Sequence, residues 1–186
     1  TDDAIKSFVS FLFSYNFTLE ENTLYDEELE LNPEFLGIIF EKLINKQHGA
    51  IYTPRLEVDF MCRLSLVKYL QQNCPASITL ENLYKLFFPE YSNENEQTIG
   101  DFSPEEAQSI INLLEHVTVC DPAIGSGAFA VGMLNVIDEI ECTLYRYCLN
   151  KEIPSAYERK KRIIFQSLYG VEIKQWAVWI TQLRLW

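Results

Sequence analysis

"VCDPAIGSGAFA", residues 119–130, ends a short apolar run and begins an amphipathic one, with two glycines and a serine at the junction. The β-branched run "HVTVCD", His116 to Asp121, reads as a buried strand. Beyond the glycines, Phe129, Met133, Val136, Ile137 and Ile140 recur at helical spacing. Strand, glycine turn and helix in that order make a βα unit of the kind that holds nucleotide-like ligands. Farther on, Glu158 to Ser167 reads as a basic helix, and "LYGVEI", Leu168 to Ile173, reads as a second buried strand. Trp176, Ile180 and Leu183 then carry the stripe of one more helix. The order β-α-α-β-α predicts an α/β fold with a parallel sheet.

Upstream of this unit the chain reads as helical. "SFVSFLFSYNF" fits a helix or a strand equally well, and an acidic stretch follows it. Asn32-Pro33-Glu34 is a helix start, and Phe35, Ile38, Ile39 and Leu43 keep the helical period up to "NKQHG". Thr53-Pro54 is a second cap-plus-proline start, followed by the stripe Val58, Met61, Cys62, Ser65, Leu66, Tyr69 and Leu70. Residues 87–102 are polar and turn-rich and read as a flexible loop. Ser103-Pro104-Glu105-Glu106 is a capping box, so a helix is predicted to run to about Glu115. The expected division is a helical region over 1–115 and an α/β unit over 116–186.

The 186 residues suit one ordinary domain or a piece of a larger one. No apolar run approaches the ~18 residues of a membrane span, and nothing at the start reads as a secretory signal, so a cytoplasmic location is expected. Without secretion the sequon Asn16-Phe17-Thr18 carries no meaning. The five cysteines (Cys62, Cys74, Cys120, Cys142, Cys148) lack paired C-x-x-C spacing and are expected as reduced core thiols. His48 and His116 stand apart, so no metal site is expected. The net charge of −12 speaks against a DNA-gripping surface, because neutralising phosphates supplies most of such affinity.

What the glycine loop binds turns on the residues before it. Gly125-Ser126-Gly127-Ala128-Phe129-Ala130 fits the dinucleotide fingerprint G-x-G-x-x-A, a weak signal alone. A P-loop is excluded, since no Lys-Ser/Thr follows the glycines. Asp121-Pro122 puts a carboxylate at the carboxyl end of the strand, where a pyrophosphate is repelled and a cationic amine is welcomed.

The pattern D-P-A-x-G-S-G-x-F resembles motif I of the amino-methylating DNA methyltransferases. "YTP", Tyr52 to Pro54, resembles their motif X, and "LYGVEIKQWAVWITQLRLW" is similar to their motif II strand and following helix. "LNPEFLGIIFEKL" resembles the N-terminal region of large adenine-specific methylases from fused restriction–modification and phage-defence systems. Nearly the whole chain is covered. The resemblance implies the truncated start of a Rossmann-like class I methyltransferase sheet and an S-adenosyl-L-methionine cofactor. It places Asp121 and Pro122 near the methionine part, lined by the amides from Ala123 through Gly125 and Ser126 to Gly127. Glu172 would accept from the ribose hydroxyls, Ile173 would pack on the adenine, and Thr53 with Tyr52 would reach the methionine carboxylate. Phe129 is a cofactor contact on this pattern and a core residue on its periodicity. The bland alternatives are Thr53 as a plain helix cap and Glu172 as a solvated strand end. Trp176 is expected in the core.

Two departures bear on function. Glu172 stands where the family usually has Asp, and the Asp-Pro expected shortly after is replaced by Lys174-Gln175. The catalytic tetrapeptide Asn/Asp-Pro-Pro-aromatic does not occur in these residues, so no catalytic residue is assigned. The expected function is the N-terminal, cofactor-binding portion of an adenine-N6 DNA methyltransferase, inactive alone. Duplex DNA would be contacted by the remainder of the enzyme, and self-association is expected through the truncated sheet. N4-cytosine, RNA and protein targets stay open. Alternatives of other classes are half of a dinucleotide-dependent dehydrogenase and a non-catalytic interaction module.

Overall fold

The computed structural model describes residues 53–89 and 101–186. In chain order these form α1 (Arg55–Asn73), α2 (Leu80–Phe87), α3 (Pro104–His116), β1 (Val119–Asp121), α4 (Ala128–Thr143), α5 (Ala156–Arg162), β2 (Leu168–Gly170) and α6 (Gln175–Leu185). α4 and α5 each continue into a π-helical segment, Leu144–Leu149 and Ile163–Ser167. The helix start at Asn32-Pro33-Glu34, the cluster before it, and residues 90–100 of the expected loop lie outside the described residues.

One apolar core joins the helices to the glycine unit. Leu66, Val67 and Leu70 of α1 meet Leu83 and Phe87 of α2, Ile110 and Leu114 of α3, and Ile137 of α4. The packing of α1 on α4 depends on Gly132. A Cβ there would come within 2.6 Å of Val58 Cγ1 and 3.3 Å of Cys62 Sγ. A mid-helix glycine costs roughly 1 kcal/mol against alanine, and the close helix approach offsets that cost. The capping box forms as read: Ser103 Oγ accepts from Glu106 N at 3.2 Å, and Glu106 returns the bond to Ser103 N at 3.0 Å.

Three arginines fasten the bundle. Arg63 forks onto Glu139 of α4 and also donates to Asp59 and to the Phe87 carbonyl at the end of α2. Arg159 forks onto Asp138 and donates to the Pro154 carbonyl. Arg162 holds both oxygens of buried Glu141, at 2.6 and 2.5 Å. The segment that reads as a basic helix therefore turns two of its charges inward, onto carboxylates 21 residues earlier.

β1 and β2 pair in parallel, with Val119 against Leu168, Cys120 against Tyr169 and Asp121 against Gly170. Both strands are shorter than the sequence predicts, because α3 runs to His116 and the pairing of β2 stops at Gly170. Neither is buried: Cys120 and Tyr169 are exposed and Val119 and Leu168 only half-buried. The helical core covers one face of this two-stranded sheet, through Val119 and Leu168, and no further strand flanks it among the described residues. The other corrections have similar causes. Pro54, not Thr53, is the N-cap of α1, and no side chain caps that end. α6 buries Ala177, Ile180 and Thr181, which leaves Leu183 exposed and Trp176 half-buried outside the core. Of the cysteines, all free, only Cys62 is buried and Cys120 is exposed. Among the described residues no helix is long and apolar enough to cross a membrane, and no group of three metal-binding side chains forms.

Candidate functional site

The glycine loop begins where β1 ends and is sewn to the end of β2. Val171 N donates to the Asp121 carbonyl at 2.9 Å, and Ile124 N donates back to the Val171 carbonyl at 3.1 Å. Gly127 N closes the turn onto the Ile124 carbonyl at 2.8 Å. Gly125 (φ +54°) and Gly127 (φ +85°) both take the left-handed backbone that a side chain disfavours, and Gly127 is the N-cap of α4.

Two carboxylates flank this loop. Asp121 Oδ1 accepts from Ala123 N at 3.0 Å, a short turn that keeps the carboxylate at the strand end. Glu172 Oε2 accepts from Gly125 N at 3.0 Å while its Oε1 accepts from Lys174 N at 2.9 Å. An ionised carboxylate has about four lone-pair sites, so each can accept further donors. The amides of Ala123, Ile124, Gly125 and Gly127 thus all donate within the protein. A phosphate cradle is built from neighbouring amides left for the anion, and this loop has spent most of its own.

Beside the loop lies a cleft of about 470 Å³, lined by Asp121, Pro122 and Phe129 on one side and by Met61, Ser65 and Tyr69 of α1 on the other. Met61 and Ser65, read as part of a core stripe, are exposed toward this space. Cys120 lines it too; Cys62 also lines it, and burial pushes that thiol up to about 11, with Asp59 adding to the shift.

The expected site residues divide into groups. Asp121, Pro122 and Phe129 line the cleft, and Phe129 also packs half-buried against the core, its carbonyl meeting Cys62 Sγ. Glu172 reaches the same loop from just beyond β2 without lining the cleft, and Ile173 next to it is 98% exposed. Ala123, Gly125, buried Ser126 and Gly127 form the loop between. Thr53 is exposed ahead of α1, and Tyr52 lies outside the described residues. Sequence reasoning missed Thr181 and Arg184, one helical turn apart on α6. Thr181 Oγ1 donates to the Gly125 carbonyl at 2.9 Å, and Arg184 Nη1 donates to the Ser126 carbonyl at 3.0 Å. No local signal marks them, because their partners lie 56 and 58 residues earlier in the chain.

Residues 93–186 match the family model described as the MmeI DNA-methyltransferase domain. All of the chain aligns, at 32% identity over 202 positions, with a candidate type II restriction enzyme and methyltransferase of Methanocaldococcus jannaschii. The chain spans 16% of the length of that curated relative. No solved structure matches the chain.

Proposed function

Since the chain belongs to the MmeI DNA-methyltransferase family, we propose that its glycine loop is the S-adenosylmethionine site of an adenine-N6 DNA methyltransferase in a restriction–modification system. The observation that carries this reading is the pair of carboxylates, Asp121 and Glu172, on a loop whose own amides are largely spent. That environment suits a ligand with a cationic amine, ribose hydroxyls and no phosphate, and it disfavours a pyrophosphate. The residues present fit the cofactor on these grounds.

Asp121 would hold the amino end of the methionine moiety. Glu172 would take the ribose hydroxyls on the lone pairs left by Gly125 and Lys174, and exposed Ile173 would cover the adenine. Pro122 and Phe129 would shape the wall beside Asp121. Thr53, relieved of capping, and Tyr52 would reach the methionine carboxylate. When bound, the cofactor supplies an electrophilic methyl group. The chain's contribution is to fix its position and keep water from it.

The parallel β1–β2 pair with its helical crossover supports a Rossmann-like sheet, with residues 1–115 as its helical companion and 116–186 as its cofactor-binding unit. Adenine is favoured by the N-terminal resemblance and by the order of the motifs. With a net charge of −12, these residues offer little attraction for phosphates, so duplex DNA is assigned to other parts of the protein. Self-association through the edges of the two-stranded sheet belongs to the same reading. The test is nucleoside analysis of unmethylated DNA incubated with the full-length protein and S-adenosylmethionine. N6-methyladenine is expected; N4-methylcytosine would correct the target, and no methylated base would overturn the assignment.

A further inference from the structure

Resting on the cofactor reading above, we infer that Thr181 and Arg184 of α6 are positioning residues that set the shape of the cofactor loop. Thr181 is buried, and its hydroxyl donates to the Gly125 carbonyl at 2.9 Å. Arg184 Nη1 donates to the Ser126 carbonyl at 3.0 Å and to its hydroxyl at 3.3 Å. Two consecutive carbonyls of the loop are therefore turned toward α6. The third contact is steric. A Cβ on Gly127 would lie 2.8 Å from Thr181 Cγ2 and 2.9 Å from its Oγ1, so the loop is seated directly on this side chain.

The consequence for binding lies in the peptide geometry. Fixing a carbonyl fixes the opposite face of the same peptide plane. The Gly125 and Ser126 peptides are held from behind by α6, while Glu172 holds the Gly125 amide from just beyond β2. The loop is preorganised by two elements that follow it in the chain, and a ligand meets it already shaped. Neither Thr181 nor Arg184 lines the cleft, so both act through the loop.

The test uses the full-length protein with Thr181→Val, Thr181→Ser and Arg184→Lys. Valine keeps the shape and removes the donor, serine keeps the donor, and lysine keeps the charge without the fork. Calorimetric titration with S-adenosylmethionine is run beside thermal melting and hydrogen exchange of the Gly125–Gly127 amides. Thr181→Val is expected to weaken binding about tenfold and to speed exchange in the loop, with Thr181→Ser within about threefold of wild type. Should Thr181→Val not fold, Arg184→Lys carries the same expectation. A lowered melting temperature with unchanged affinity and loop exchange would show a merely structural role and overturn the inference. Wild-type protein that binds no S-adenosylmethionine would instead defeat the cofactor reading, and the inference with it.

Discussion

Glu172 and Gly125 lie 47 residues apart in the chain, yet the carboxylate of one accepts the amide of the other at 3.0 Å. That bond ties the end of the second strand to the turn after the first, which brings the two acidic positions to one loop. Its partner bond, from Thr181 to the carbonyl of the same glycine, holds the turn from the other side.

Gly127→Ala should damage the loop twice over. Its φ of +85° disfavours a side chain by ~1–2 kcal/mol, and the new Cβ meets Thr181. A melting temperature lower by about 2–8 °C is expected, together with weaker binding of S-adenosylmethionine by tenfold or more, roughly the loss of one buried hydrogen bond. Melting and titration that both match wild type would contradict this.

Gly132→Ala improves helix propensity and should nevertheless destabilise by ~1–3 kcal/mol, because it drives a methyl into Val58 and Cys62. In a Val58→Ala background the clash is relieved and the same change should approach neutrality. Denaturant unfolding of the two single variants and the double variant closes the cycle. Simple additivity would show that the contact is not where the structure puts it.

How much of this was readable in advance depended on whether the signal was local. The capping box at Ser103 and Glu106, the glycine turn, and the helical stripe of α4 all follow from spacing within one or two turns, and all appear. Strand burial did not, because a short β-branched run looks the same whether a sheet is covered on both faces or, as here, on one. The Thr181–Gly125 bond spans 56 residues and leaves no periodic trace. The phase of α6 differs from its apolar spacing for a related reason. Its large side chains, Trp179 and Leu183, stay exposed while Ala177 and Thr181 face inward to let the helix approach the loop.

Glu141 should leave a mark on the pH dependence of stability. It is buried against Arg162, and burial holds its carboxyl above the ordinary 4.5 despite that cation, with Glu115 and Asp138 pushing the same way. The folded state then binds a proton more readily than the unfolded one. Its contribution is fully present below about 4.5 and is lost as pH rises through the higher folded value. Glu141→Gln should remove that part of the slope in melting temperature that begins above about pH 4.5. An identical slope in both proteins would contradict the assignment.

Thiol reactivity should separate Cys120 from Cys62, although both line the same cleft. Cys120 is exposed; Cys62 is buried with its thiol pushed up to about 11, so little thiolate is present at neutral pH. Brief alkylation at about pH 8, read by peptide mass spectrometry, should label Cys120 first and Cys62 last. Equal rates would mean that α1 opens readily from the cleft.

The central claim is that Asp121 marks a loop for a cationic, phosphate-free cofactor, and calorimetric titration of the full-length protein tests it most directly. S-adenosylmethionine and NAD are each titrated into wild type, Asp121→Ala, Glu172→Ala and Thr53→Ala. Wild type should bind S-adenosylmethionine and not NAD. Asp121→Ala and Glu172→Ala should each weaken that binding by roughly ten- to a hundredfold, the loss of ~1.5–3 kcal/mol from a bond to a charged group. Thr53→Ala should cost less, since exposed Thr53 would share the methionine carboxylate with Tyr52 and with water. NAD bound more tightly by Asp121→Ala than by wild type, with no S-adenosylmethionine bound by either, would contradict the account.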